Sequence, residues 1–127
     1  MKKIISTQNA PQAIGPYSQG VVVDGILYSS GQIGLKPDGE LVGDGVKEQT
    51  RQVLENLKAV LAEAGATLED VIKTTIFLDD MDDFTVVNGI YEEYFSSNPP
   101  ARSTVAVQTL PKNVKIEIDC IAKIPKD

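Results

Sequence analysis

Short hydrophobic runs separated by turn residues mark the first third of the chain. Residues 21–23 and 26–30 are β-prone, and Asp24-Gly25 between them supplies the positive φ that a two-residue hairpin turn requires. The pattern therefore predicts an N-terminal β-hairpin.

Residues 46–64 have the period of an amphipathic helix. The positions that form its apolar stripe are Val46, Thr50 (through its methyl group), Val53, Leu54, Leu57, Val60, Leu61 and Ala64. Asp44 is the predicted N-cap, and Gly65 is predicted to follow the C-cap. We expect this helix to lie on a sheet.

The second half of the chain again combines predicted strands with a predicted helix. Residues 71–78 form a β-branched run, residues 84–95 return to helical spacing, and Asn98-Pro99-Pro100 halts the chain. Residues 102–109 and 115–124 are predicted strands. The order ββ-α-β-α-ββ predicts one α+β domain over residues 1–127. Both helices should cover the same sheet face, because crossovers between parallel strands are right-handed.

The other face of the predicted sheet is neither apolar nor fully polar. Its residues include Lys73, Thr75, Phe77, Lys115, Glu117 and Ile121. This mixture indicates contact with another subunit, and a half-solvated antiparallel sheet is the alternative.

Composition narrows the possible functions. The 127 residues contain no histidine and one cysteine, Cys120, so we expect no metal site, and we expect the thiol to be a small buried hydrophobe. The net charge of −6 opposes nucleic-acid binding. No run reaches the roughly 20 apolar residues of a membrane helix, and the N-terminus is too polar for a signal peptide, so a cytosolic location is expected.

Two charged residues on predicted strands are candidates for chemistry. Arg102 follows the stiff Pro99-Pro100-Ala101 segment, and its planar fork suits bidentate binding of a carboxylate. Glu117 lies between Ile116 and Ile118, so it projects from the opposite strand face and could move protons if it is desolvated. A surface ion pair and a solvated glutamate are the ordinary alternatives.

Two glycine-containing loops are weaker candidates. Tyr17 lies in a Gly- and Pro-containing loop, residues 14–20, that can aim a phenol into a pocket or form a plain turn. Residues 29–34 have glycines near a strand end but lack the lysine and helix of a phosphate loop. We expect this second loop to form a backbone-lined wall.

Several blocks taken together resemble the Rid (RidA/YjgF) family nearly end to end. They are Asn9-Ala10-Pro11, residues 14–20, residues 30–33, residues 71–75, Val87-Asn88 with Tyr91, Ala101-Arg102-Ser103, Leu110-Pro111-Lys112 and residues 114–118. The resemblance implies a chorismate-mutase-like fold, a single sheet of about six mixed strands with two helices on one face. It also implies a homotrimer with clefts between subunits.

The same resemblance implies hydrolysis of 2-iminobutanoate and 2-iminopropanoate to 2-keto acids, without metal or organic cofactor. Arg102 matches the arginine that grips the substrate carboxylate, Glu117 the carboxyl that handles water and protons, and Tyr17 the cleft tyrosine. The residues that match substrate-binding wall positions are Ser30, Gly31 and Asn88.

The chain departs from many relatives at one position. Thr104 stands where they have a cysteine two residues after the arginine. The backbone there can still bind the ligand, so we expect activity to persist without thiol chemistry.

Two other functions are open at this point. The same cleft could bind a 2-keto acid or another small carboxylate as a signal without turnover. An endoribonuclease or translation-inhibitor role, named for some relatives, is opposed by the acidic charge and the missing histidine.

The predicted strands also indicate that the site is shared between chains. If the last two strands run antiparallel, Gln108 is level with Glu117, and Arg102 lies six residues away. At about 3.3 Å per residue the gap is roughly 20 Å, which a three- or four-carbon imino acid cannot span.

Overall fold

The computed structural model describes residues 1–126, so residue 127 of the predicted domain lies outside the described residues. The elements in chain order are β1 (Lys3–Ile5), β2 (Gly20–Val23), β3 (Ile26–Ser29), β4 (Gln32–Ile33), α1 (Val46–Glu63), β5 (Val71–Leu78), α2 (Phe84–Tyr94), β6 (Ala101–Ala106) and β7 (Ile116–Lys123). Short 3₁₀ turns cover Leu68–Asp70, Met81–Asp83 and Pro111–Asn113.

The strands form one mixed sheet in the order β1-β2-β3-β7-β5-β6, with β4 paired beside β7. Strands β5 and β6 are parallel, and the other pairs are antiparallel. About six strands were expected, and the sheet has seven. Strands β1 and β4 are not predicted from the sequence, because their three and two residues are too short to show an alternating pattern.

Helix α1 follows its predicted stripe but begins on a different cap. The N-cap is Gly45 and not Asp44, and the Gly45 N–H donates to the Glu48 carboxylate at 2.8 Å. The correction has a simple cause, because a carboxylate at the third helical position satisfies the free N–H without an acidic cap. Gly65 follows the C-cap with φ +85°, as predicted.

Both helices cover the same face of the sheet. A single buried cluster joins α1, α2 and the inward residues of β5 and β7, among them Ile76, Leu78, Ile116 and Ile118. The predicted arrangement of two helices on one face is confirmed. Within residues 1–126, no helix is long and apolar enough to cross a membrane.

Polar residues of α1 fix a loop beside the sheet. The buried Asn56 donates to the carbonyls of Ile33 and Leu35, and the buried Gln49 accepts from the Lys115 N–H at 2.8 Å. These bonds satisfy polar groups that would be costly to bury unpaired. They hold β4 against β7 at the start of the last strand.

The helix-free face carries the mixed residues that the sequence predicts. Thr75 is level with Asp119, and Phe77 is level with Glu117. Several large apolar side chains of this face are exposed, namely Ile4, Tyr28 and Val105. An apolar surface of this kind is typical of a protein contact site.

Candidate active site

Glu117 occupies the wall of a cavity of about 500 Å³. Its neighbours Ile116 and Ile118 are buried against the helices, so alternation along β7 turns the Glu117 side chain to the helix-free face. Tyr17, Ser30 and Gly31 line the same cavity. The structure thus brings together four of the seven predicted site residues.

Gly31 is fitted closely to the Glu117 carboxylate. A Cβ at this position would clash with the Oε2, Cδ and Cγ atoms of Glu117. Only a residue without a side chain lets the carboxylate lie against this backbone, which explains the glycine.

The environment of Glu117 disfavours its charged form. Burial raises the pKa of the Glu117 carboxyl, and the nearby negative charge of Asp119 raises it further. Burial also raises the pKa of Asp119, although the Lys73 charge and a hydrogen bond from Thr75 oppose that rise. A carboxyl with a raised pKa is suited to exchange protons with a substrate near neutral pH.

The Tyr17 loop is anchored at its end by Gln19. This buried amide donates to the carbonyls of Thr7 and Pro11 at 3.0 and 2.8 Å and accepts from the Thr7 N–H at 2.7 Å. The Ser30 hydroxyl donates to the Ser18 carbonyl at 2.6 Å. Ser30 therefore lines the cavity while its hydroxyl proton fixes the loop that carries Tyr17.

Arg102 lies in a separate group of residues. It is level with Thr74 on the edge strand β6 and faces α2, where its Nη1 donates to the Asn88 Oδ1 at 2.8 Å. The guanidinium carbon is 5.4 Å from the ring centroid of Phe84 and 4.9 Å from that of Tyr91. Asn88, predicted as a substrate-binding wall residue, lies in this group and does not line the Glu117 cavity.

The strand register corrects the predicted separation of Arg102 and Glu117. Because β6 runs parallel to β5 and β7 antiparallel to it, Val105 and not Gln108 is level with Glu117. The two residues are therefore roughly 10 Å apart along the strands and roughly 10 Å apart across them. Their side chains also leave the sheet on opposite faces.

Thr104 faces the same side as Arg102, level with the buried Ile76. Its Oγ1 is buried and has no hydrogen-bond partner within residues 1–126. A buried hydroxyl without a partner is unusual and requires an explanation.

Cys120 lies in the core, 2% exposed, and burial raises the pKa of its thiol to about 11. A thiol in this state is a poor nucleophile. The predicted structural role of Cys120 is confirmed.

Three residues that contribute to these two groups are not predicted as site residues from the sequence. Helical spacing predicts Phe84 and Tyr91 only as positions of the second helix. Their spacing of seven, with Asn88 between them, places all three on one helix face. Lys112 lines the Glu117 cavity in a left-handed conformation with φ 57°. That conformation gives no clear sequence signal, because non-glycine residues adopt it rarely.

Known proteins with similar sequences cover almost the whole chain. The family described as Endoribonuclease L-PSP matches residues 7–124. The chain belongs to this family. The human protein named 2-iminobutanoate/2-iminopropanoate deaminase is 50% identical over 123 residues, which are 96% of this chain and 90% of the human protein. The resemblance to Rid proteins found in the sequence is therefore confirmed.

Other members have different names and one has a bound ligand. A Lactococcus lactis protein named as a regulator, AldR, is 54% identical over 96% of this chain and 98% of its own. The crystal structure of Escherichia coli TdcF with bound serine has a TM-score of 0.92 and 44% identity, covering 98% of this chain and 99% of that one. This agreement confirms the predicted family fold.

Proposed function

We propose that this protein hydrolyses 2-imino acids, such as 2-iminobutanoate and 2-iminopropanoate, to 2-keto acids and ammonia. The observation that carries the proposal is the desolvated carboxyl of Glu117, fitted against the backbone of Gly31. The family membership and the name of the human relative support this reaction.

Arg102 binds the substrate carboxylate in this proposal. A guanidinium has five N–H donors, and Asn88 accepts from one of them. Enough donors remain for a bidentate pair with a carboxylate. This contact fixes the imine carbon relative to the protein, as productive orientation requires.

Glu117 moves the protons. Its carboxylate takes a proton from water as the water oxygen attacks the electrophilic C2 of the protonated imine. The resulting carbinolamine keeps all the atoms of imine and water. Glu117 then gives this proton to the nitrogen and is a carboxylate again. As the C–N bond breaks, the carboxylate takes the proton of the hydroxyl group, whose oxygen becomes the keto oxygen. The leaving ammonia takes up that last proton and departs as ammonium, and Glu117 is ionised as at the start.

A homotrimer with sites between subunits completes the proposal. Arg102 and Glu117 leave one sheet on opposite faces, so one small substrate meets both only if two chains contribute. The exposed Ile4, Tyr28 and Val105 on the helix-free face favour its contact with a neighbouring copy. Cyclic assembly through unlike surfaces allows this arrangement.

A coupled assay tests the proposed activity. Threonine dehydratase generates 2-iminobutanoate, and the rate of 2-oxobutanoate formation is followed with and without this protein. We expect acceleration by the wild type and none by Arg102→Ala or Glu117→Gln. Arg51→Ala is the matched control, because it removes an exposed arginine whose partner is Glu93 on the helix surface. Wild-type protein without any acceleration would contradict the proposal.

Binding without turnover is the second candidate, and the serine bound to TdcF and the regulator name of AldR favour it. Glu117→Gln separates the two functions. An enzyme loses turnover in this variant and keeps carboxylate binding, whereas a binding protein shows no turnover even as wild type.

The family description also requires a test of ribonuclease activity. The net charge of −6 disfavours an RNA substrate. We expect no cleavage of single-stranded RNA by the wild type, and cleavage lost in Arg102→Ala would favour the endoribonuclease role.

A further inference from the structure

The guanidinium of Arg102 lies along a stripe of three side chains on α2. Phe84, Asn88 and Tyr91 are spaced by four and three residues and therefore share one helix face. The two rings lie 5.4 and 4.9 Å from the guanidinium carbon, and Asn88 between them accepts a hydrogen bond at 2.8 Å. These distances fall in the range of cation–π contacts.

Tyr91 is the firmly held member of the stripe. It is 5% exposed, and its hydroxyl shares a 2.7 Å hydrogen bond with the fully buried Thr74. Its ring also packs on Phe95 with a centroid distance of 4.5 Å. The ring is therefore a fixed surface, whereas Phe84 at the first position of the helix is only partly buried.

Arg102 itself has no such restraint from its own strand. It is exposed on the edge strand β6, and within residues 1–126 it forms no ion pair. A long side chain that samples many rotamers loses affinity when a ligand orders it, and a surface that holds it beforehand reduces this loss.

We propose that Tyr91 is a positioning residue for Arg102, and that its ring holds the guanidinium plane so that the donor edge faces a planar carboxylate. The identity of the carboxylate rests on the proposed function. Asn88 sets the rotation of the fork, and packing of the Tyr91 ring on Phe95 keeps the ring in place.

Tyr91 also belongs to the core, so a purely structural role must be separated from positioning. Tyr91→Phe keeps the ring and removes the bond to Thr74, whereas Tyr91→Leu removes the ring. Phe84→Leu removes the second ring at a less buried site. This variant still tests the proposal if Tyr91→Leu does not fold. Circular dichroism and thermal unfolding identify the folded variants.

The first measurement is the Kd of 2-oxobutanoate by calorimetry. We expect Tyr91→Leu to bind about tenfold more weakly and Tyr91→Phe to stay within about twofold of the wild type. The KM for the imino acid should rise in parallel. Phe84→Leu should weaken binding less than Tyr91→Leu.

The second measurement repeats both substitutions in an Arg102→Ala background. If the rings act through Arg102, Tyr91→Leu causes no further loss there. The proposal is overturned if Tyr91→Leu binds 2-oxobutanoate as tightly as the wild type, or if Tyr91→Phe binds it as weakly as Tyr91→Leu. It is also overturned if the losses of affinity caused by Tyr91→Leu and Arg102→Ala add fully in the double variant. Wild-type protein that binds through Arg102 but does not hydrolyse imino acids contradicts the proposed function and leaves the positioning role intact.

Discussion

Arg102 and Glu117 project from opposite faces of one sheet, and Val105 is the β6 residue level with Glu117. Mixed assemblies should therefore restore activity that neither parent has. Co-refolding Arg102→Ala with Glu117→Gln chains should recover part of the imine hydrolysis, because some interfaces then combine two intact surfaces. Activity is measured on mixed oligomers separated by differently charged tags. Mixed oligomers as inactive as either parent would show that one chain supplies both residues.

Gly31→Ala should reduce turnover at least tenfold, because the new methyl group displaces the Glu117 carboxylate from the backbone that it contacts. Gly89→Ala is the control. It makes the same change inside α2, where nothing lies within 4 Å, and should stabilise the protein by roughly 0.5–1 kcal/mol. Thermal unfolding and steady-state rates distinguish the two effects. Full activity in Gly31→Ala would show that catalysis does not depend on the position of the Glu117 carboxylate.

The raised pKa of Glu117 makes both activity and stability depend on pH. At pH values between the Glu117 pKa of the unfolded chain and its higher pKa in the folded protein, the native state binds more protons. The contribution of Glu117 to the free energy of unfolding therefore falls as pH rises through this interval. Glu117→Gln should therefore unfold at a higher temperature near neutral pH while it loses turnover.

The pH profile of the wild type supplies the companion measurement. Because the Asp119 charge raises the pKa of Glu117, Asp119→Asn should move the acidic limb of kcat/KM to lower pH. If the acidic limb does not move, it reports the ionisation of a group other than Glu117.

Thr104→Val tests the buried hydroxyl without a partner. If only the backbone at this position serves the ligand, the variant keeps most of the activity and gains roughly 1 kcal/mol of stability, because an unsatisfied oxygen becomes a methyl group. Thr104→Ala should also keep most of the activity but leaves a small cavity. A loss comparable to that of Arg102→Ala would show that the hydroxyl contacts the substrate.

The sequence predicted most of the fold because its longer elements carry strong patterns. The bounds of β5 and the start of α1 at Val46 follow directly from β-branched runs and helical spacing. The two-residue β4 escaped prediction because tertiary bonds from Asn56 hold it and no local pattern does. Strand β6 ends at Ala106, short of the predicted residue 109.

The residue types of the candidate site were predictable from the sequence, but which of these residues lie together was not. Glu117 and Arg102 stood out as charges among apolar neighbours, yet their opposite faces depend on the parallel pairing of β6, which the sequence does not specify. The contact of Asn88 with Arg102 likewise depends on how α2 packs beside β6.

Gln19 anchors the Tyr17 loop, and the path of this loop therefore does not depend on which exposed side chains it carries. The bonds to Thr7 and Pro11 use backbone atoms, and Ile14 and Tyr17 are 86% and 53% exposed. Their side chains can thus be exchanged while the backbone path persists. In a family with one scaffold and several names, such a loop offers an evolvable surface on which ligand preference can diverge at little cost to folding.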